Sequence, residues 1–287
     1  MKERILLIGG AGFVGKNLIS ELKKYYELTC LVRKSTDESN IDFLKSNKIK
    51  LIFCDDINKE ILYNALNNID IVIYLIGIIK ETKEQKFRIL HYENVKNLIE
   101  ICKKKSIEKI VYFSALGADT TITEYFYTKF KAEEELKKSG LNYIIFRPSI
   151  MFGKEDKSIN NFIDTIKKHR FVFYFSTKKM QPAYVKDVVK CVRLSLKNKW
   201  NKIYEIGGLD KLNLEEIFDF VIENLNLKRK KIRIPLFFIK IISLFPNPFL
   251  TYDQLKMLQI DNVTNFNAQK EFSFKFLSFE DYLRKLK

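Results

Sequence analysis

The residues of this chain whose types and spacing could do chemistry fall in two places. Gly9, Gly10, Ala11, Gly12, Phe13, Val14 and Gly15 satisfy G-x-G-x-x-G through Gly10, Gly12 and Gly15, and G-x-x-G-x-x-G through Gly9, Gly12 and Gly15. A strand that turns through glycines into a helix is where the pyrophosphate of a dinucleotide can sit. The first glycine permits the tight turn, the middle one lets backbone approach the phosphates, and the last lets the helix pack close to the strand. The helix start adds free N–H groups and the positive end of its dipole. Ser114, Tyr125 and Lys129 are the second place. Residues four apart on a helix share a face, so the Lys129 ammonium can depress the Tyr125 phenol and position a nicotinamide ribose. Tyr125 would then exchange a proton with a carbonyl whose carbon exchanges hydride with the cofactor, while Ser114 polarises the same oxygen. Tyr127 and Lys131 form a second Tyr-x-x-x-Lys two residues along, so spacing alone leaves the choice of pair open.

Such residues need a frame to hold them. Residues 4–8 read as a short apolar strand, after which Phe13, Val14, Leu18, Ile19 and Leu22 recur at helical spacing. Strand-like runs follow at 28–32, 50–53, 69–75, 109–114 and 143–146, with helical patterns at 58–66, 85–104 and 125–138. This βαβα rhythm predicts a Rossmann-type α/β fold, a doubly wound parallel sheet covered by helices on both faces. Gly140 stops the last helix and Pro148 closes the strand after it. Beyond Pro148 the rhythm weakens, to strands at 172–175 and 203–206 and helices at 187–196, 214–224 and 252–258. The expected organisation is a nucleotide-binding domain over 1–150 and a smaller C-terminal α/β cap over 151–287.

In such a fold ligands lie at the carboxyl ends of the strands. An acid about 20 residues past the glycine turn marks NAD binders, because it bonds the adenine ribose hydroxyl. Here Arg33 and Lys34 occupy that place, and a guanidinium pairs with a 2′-phosphate. NADP(H) is therefore favoured, with NAD(H) as the alternative. Asp55, after the third strand, is placed to accept from the adenine amino group. Leu75 to Gly77 would let backbone approach the adenosine ribose and pyrophosphate. Both segments read equally well as loop punctuation.

Composition bounds the rest. At 287 residues and 46% hydrophobic the chain can bury a sizeable core, and no run of 18 apolar residues indicates a membrane span. Its first strand begins almost at once, leaving no room for a signal peptide and pointing to a cytoplasmic protein. The cysteines (Cys30, Cys54, Cys102, Cys191) are far apart, and His91 and His169 are the only histidines, so no metal site is expected. The net charge of +16 comes from lysines spread through the whole chain, which reads as solvation. Nucleic acid is disfavoured as a partner, since the densest cluster, Lys228 to Lys231, is short and lacks interleaved aromatics. Residues 235–250 are strongly apolar, with Lys240 as their only charge. As a helix they would place Phe237, Ile241, Leu244 and Phe245 on one face, widened by Phe238 and Ile242. That face is either an interfacial element against lipid or a partner, or an ordinary core helix.

These residues resemble the short-chain dehydrogenase/reductase superfamily in its extended or atypical branch. More narrowly the chain is similar to the nucleotide-binding accessory subunits of respiratory complex I and their bacterial relatives. The resemblance runs through the glycine turn, Leu31-Val32-Arg33, Cys54-Asp55, Ser114-Ala115-Leu116-Gly117-Ala118, Tyr125 with Lys129 and Glu133, and Arg147-Pro148-Ser149. It continues through Gln181-Pro182, Glu205-Ile206-Gly207-Gly208 and a tail from Pro246 through Asp261-Asn262. Lys129 stands 18 residues before Arg147, the separation the resemblance implies, which selects Tyr125/Lys129. Cys54 replaces the glycine usual before the aspartate. The resemblance implies NADP(H) held structurally, with Pro148 completing the cofactor set, complex I subunits or the inner face of the respiratory membrane as partners, and no assigned substrate. The alternative is an active NADP-dependent reductase or epimerase on a small carbonyl or nucleotide-sugar substrate. Arg147, beside Pro148 at a strand end, is expected to be structural.

Overall fold

The computed structural model describes residues 2–245 and 250–286. The first strand, β1 (Arg4–Ile8), buries Ile5 to Ile8 completely, the near-continuous apolar run that a strand covered on both faces requires. Then come α1 (Phe13–Leu22), β2 (Glu27–Arg33), α2 (Glu38–Ser46), β3 (Lys50–Cys54), α3 (Lys59–Ala65) and β4 (Ile71–Tyr74). A six-residue π-helical turn, Arg88–Glu93, leads into α4 (Asn94–Lys104), followed by β5 (Lys109–Phe113), α5 (Glu124–Lys138) and β6 (Asn142–Pro148). Further on are β7 (Met151–Phe152), α6 (Ile159–Lys168), β8 (Phe171–Tyr174), β9 (Ala183–Tyr184), α7 (Val185–Ser195) and β10 (Lys202–Ile206). The last elements are α8 (Leu214–Asn224), β11 (Lys230–Arg233), α9 (Leu236–Ser243), α10 (Tyr252–Leu258), α11 (Ala268–Phe272) and α12 (Phe279–Arg284).

Seven strands form one sheet in the order β10-β6-β5-β4-β1-β2-β3. β1 pairs in parallel with β2 and β4, β2 with β3, and β5 with β4 and β6. The chain winds outward from β1 through β2 to β3, and from β4 through β5 to β6. This is the doubly wound α/β fold that the rhythm predicts, with β1 and β4 side by side where the winding reverses. Local chemistry sets the helix ends. The Asn58 side chain accepts from Ile61 N at 2.9 Å to open α3, and Thr123 Oγ1 accepts from Phe126 N at 3.3 Å to open α5. Gly140 follows α5 with φ +76°, the left-handed conformation that ends a helix.

The sequence reading differs from the structure in two places within this frame. α2 lies between β2 and β3, where no helix was expected, because its polar run buries only Leu44 and has little periodicity to read. The expected helix over 85–104 is a π turn followed by α4, so its register changes at Asn94. By their contacts the residues form two units, one of residues 1–147 and 189–204, the other of 148–188 and 205–287. In the second unit, α6, α8 and α12 enclose a core of Phe152, Ile163, Ile217 and Phe279, beside a parallel β8–β11 pair. The helix over the apolar segment is α9. Phe237, Phe238, Ile241, Ile242, Leu244 and Phe245 are all exposed, so in this unit the segment is not a core helix. Residues 246–249, part of that segment and of the tail motif, lie outside the described residues. No helix of the described residues is long and apolar enough to cross a membrane.

Candidate functional site

The glycine turn is built as a close approach among three elements of the first unit. Gly9 has φ +92°, and a Cβ there would stand 3.2 Å from the Ile76 side chain beyond β4. A Cβ at Gly10 would stand 2.5 Å from Cys30 Sγ on β2, and one at Gly15 only 2.4 Å from the Gly10 carbonyl oxygen. Bare backbone at Gly10 and Gly15 therefore lets α1 sit directly on the turn. Gly12 is exposed and opens α1, and Ala11, Phe13 and Val14 are half-buried around it. That cradle fits a pyrophosphate against a helix start.

Contacts continue along the carboxyl ends of the strands. Leu75 N donates to Ile8 O at 2.9 Å, which ties the exit of β4 to β1. A Cβ at Gly77 would stand 3.4 Å from Lys129 Nζ. The Lys129 ammonium, 3% exposed, donates to Phe113 O at 2.7 Å and so touches the exit of β5 one residue before Ser114. Ser114 N donates to Phe146 O at 2.8 Å, and its hydroxyl is buried without a hydrogen-bond partner among the described residues. An orphaned hydroxyl beside a buried lysine fits a polar ligand group. On the other side, Arg33 is exposed at the end of β2, and Lys34 Nζ pairs with Asp55 Oδ2 at 3.0 Å where both side chains are largely in solvent. Pro148, the last residue of β6, is buried and belongs to the second unit. Gly9 to Gly15, Leu75, Gly77, Lys129 and Ser114 thus form one run of contacts, with Arg33, Lys34 and Asp55 clustered at the ends of β2 and β3.

The helix α5 separates the two Tyr-x-x-x-Lys pairs. Tyr125 and Lys129 are buried, whereas Tyr127 is 40% exposed beside the exposed Lys131. Two residues of α-helical advance, about 200°, put them on opposite faces. Burial dominates the electrostatics of the Tyr125/Lys129 pair. Burial lifts the Tyr125 phenol above its ordinary range and pushes the Lys129 ammonium down to about 7, with Glu133 acting weakly in the opposite sense. The Lys129 ammonium lies 5.9 Å from the Tyr125 ring centroid and 5.3 Å from that of Tyr112.

Around this pair His91 and Asp119 carry no recognisable sequence signal, whereas Glu133 and Arg147 belong to the family resemblance. His91 is fully buried, accepts from Ile78 N at 3.2 Å through Nε2, and has Nδ1 3.2 Å from Thr128 Oγ1. Glu133, also fully buried, accepts from Arg147 Nε at 3.0 Å and Nη2 at 2.7 Å, while Arg147 Nη1 reaches Asp119 at 2.8 Å. Burial opposes the Arg147 charge, but Glu133 and then Asp119 outweigh it and hold the guanidinium ionised. Two open hollows of about 460 and 590 Å³ lie at the opposite, amino-terminal ends of the strands around Glu108 and contain none of the expected site residues. Among the described residues no group of metal-ligating side chains is assembled.

Comparison with known proteins places this geometry. The chain is 24% identical to a mitochondrial protein of Arabidopsis thaliana named NADH dehydrogenase [ubiquinone] 1 alpha subcomplex subunit 9, over 92% of this chain and 71% of that one. It is 29% identical to the photosystem II assembly factor Ycf39 of Cyanophora paradoxa, over 83% and 73% of the two chains. A solved UDP-glucose 4-epimerase of Thermotoga maritima superposes with a TM-score of 0.76 at 18% identity, covering 98% of this chain and 96% of the other, and shares the fold. The model of the NAD(P)H-binding family matches residues 9–171, more than half the chain and the whole run from the glycine turn past Lys129, and the protein belongs to that family.

Proposed function

We propose that the protein is an NADP(H)-holding accessory or assembly factor of a membrane-bound NADH–quinone oxidoreductase. The observation that carries this reading is the glycine-turn cradle running on to the buried Lys129, in a chain similar over 92% of its length to a complex I subunit. Lys129, buried against Phe113 O and under Gly77, is placed to meet a nucleotide that lies on the glycine turn. The glycine turn from Gly9 to Gly15 would hold the pyrophosphate, Arg33 and Lys34 the 2′-phosphate, and Asp55 the adenine. Leu75, Gly77 and Lys129 would hold the sugars. When bound, the nucleotide supplies a hydride donor or acceptor. The names of the similar proteins, a complex I subunit and an assembly factor, support a partner-bound role. So does the exposed apolar face of α9, which suits a peripheral position on the inner face of the respiratory membrane.

The unpartnered Ser114 hydroxyl favours the second reading, an NADP-dependent reductase or epimerase on a small carbonyl or nucleotide-sugar substrate. Purification from the host decides between them. The first reading expects NADP(H) to remain bound through purification and quinone-reductase subunits to co-purify. Turnover of a carbonyl substrate that disappears in Tyr125→Phe would establish the enzyme instead.

A further inference from the structure

His91 is the buried titratable group that the nucleotide reading leaves without a task. It lies in the π turn Arg88–Glu93 with no exposed surface, and both ring nitrogens are engaged. Nε2 accepts the backbone N–H of Ile78, the residue after Gly77, at 3.2 Å. The ring proton is therefore on Nδ1, which donates to Thr128 Oγ1 at 3.2 Å, and the Thr128 hydroxyl donates onward to Glu124 O at 2.8 Å. The imidazole stacks on Phe87 at 5.3 Å and meets the Tyr125 ring edge-on at 5.4 Å. Burial first, and then the Lys129 charge, push His91 down to about 2, so the ring stays neutral and its two hydrogen bonds persist across the physiological range.

The π turn itself is anchored to the sheet. A π-helical turn takes its carbonyls out of the α-helical ladder. Here Leu90 O accepts from Tyr74 Oη at 2.5 Å and His91 O from Tyr112 Oη at 3.3 Å, tying the turn to β4 and β5. The extra residue in that turn points the imidazole at the chain leaving β4. Resting on the NAD(P)H reading above, we infer that His91 is a positioning residue for the nicotinamide half of the site. It ties the backbone after Gly77 to the turn of α5 that carries Tyr125 and Lys129.

The test is calorimetry on the full chain with two probes, NADPH and 2′,5′-ADP, the second carrying only the adenosine end. His91→Phe keeps the ring and removes both hydrogen bonds. It is expected to weaken NADPH about tenfold and 2′,5′-ADP by no more than about threefold, since that probe meets the backbone before Ile78 but does not reach Lys129. His91→Gln, whose Oε1 can accept from Ile78 N, is expected to recover most of that loss. Unchanged NADPH affinity in His91→Phe, or a parallel loss for both probes, overturns the inference. If His91→Phe does not fold, Thr128→Val removes the Nδ1 partner at constant shape, and a selective loss of NADPH affinity is expected there too. An unsubstituted protein that binds neither probe defeats the nucleotide reading itself, a result distinct from the others.

Discussion

Lys129 and Arg33 stand at opposite extremes of environment, and each makes a sharp prediction. Lys129 is held near 7 by burial, far below its ordinary 10.5. A cation whose folded pKa is depressed destabilises the fold fully below the folded value, and the penalty is relieved as pH rises from there toward the unfolded value. Lys129→Met should therefore gain stability relative to the parent most strongly below pH 7 and lose that advantage toward pH 10.5. Urea midpoints measured across that range read the slope. The constant loss of the hydrogen bond to Phe113 O shifts the curve without tilting it. Arg33 is exposed and makes no ion pair among the described residues, so its guanidinium is accessible to a 2′-phosphate. Arg33→Asp should weaken NADPH by about tenfold or more while changing NADH little, since it replaces attraction with repulsion at that phosphate alone. Calorimetry with both nucleotides checks this, and tighter NADH than NADPH binding by the unsubstituted protein would remove the NADP(H) preference.

At the scale of elements, the buried Arg147 clamp sets the geometry around the pair. Arg147 on β6 grips Glu133 on α5 in a bidentate pair and Asp119 in the segment between β5 and α5. One residue type thus positions the helix of Tyr125 and Lys129 and the chain that follows Ser114. Glu133 has no exposed surface, so Arg147→Met would strand a carboxylate in a dry interior, at a cost of about 3–5 kcal/mol. Removing both charges, with Arg147→Met and Glu133→Leu together, should cost much less, because the stranded charge and not the missing attraction dominates. Asp119, 52% exposed, can return to water in either variant. Chemical denaturation of the single and double variants measures the difference, and a double variant no more stable than the single one would contradict it.

For the molecule as a whole, net charge and the exposed face of α9 together make attachment to an anionic membrane testable. A chain of +16 is attracted to an anionic surface, and Phe237, Phe238, Ile241 and Ile242 offer apolar area to enter it. The protein should sediment with vesicles containing anionic lipid and need both salt and mild detergent for release. Phe238→Asp with Ile242→Asp should abolish sedimentation while leaving the fold and nucleotide affinity intact, because both side chains are more than half exposed. Vesicle co-sedimentation, circular dichroism and calorimetry report the three properties separately. Unchanged sedimentation of the double variant would move the attachment elsewhere.

Local pattern by itself determined the α/β class, the positions along the chain of the six strands β1 to β6, and the glycine turn, because parallel strands buried on both faces must be continuous apolar runs and the turn needs bare backbone. The sequence also determined that Tyr125 and Lys129 share a helix face, though only the family resemblance chose them over Tyr127 and Lys131. What the tertiary structure decided depends on residues far apart in the chain. It placed β10 at the edge of the sheet beside β6, returning residues 189–204 to the first unit. It put Lys129 against Phe113 O, where loss of water draws the ammonium toward neutrality. It paired Lys34 with Asp55 across 21 residues and made a lone histidine the link between β4 and α5. Periodicity reports which way a side chain faces. Its dielectric and its partner are set by the other strands and helices that close over it, and no local pattern carries that information.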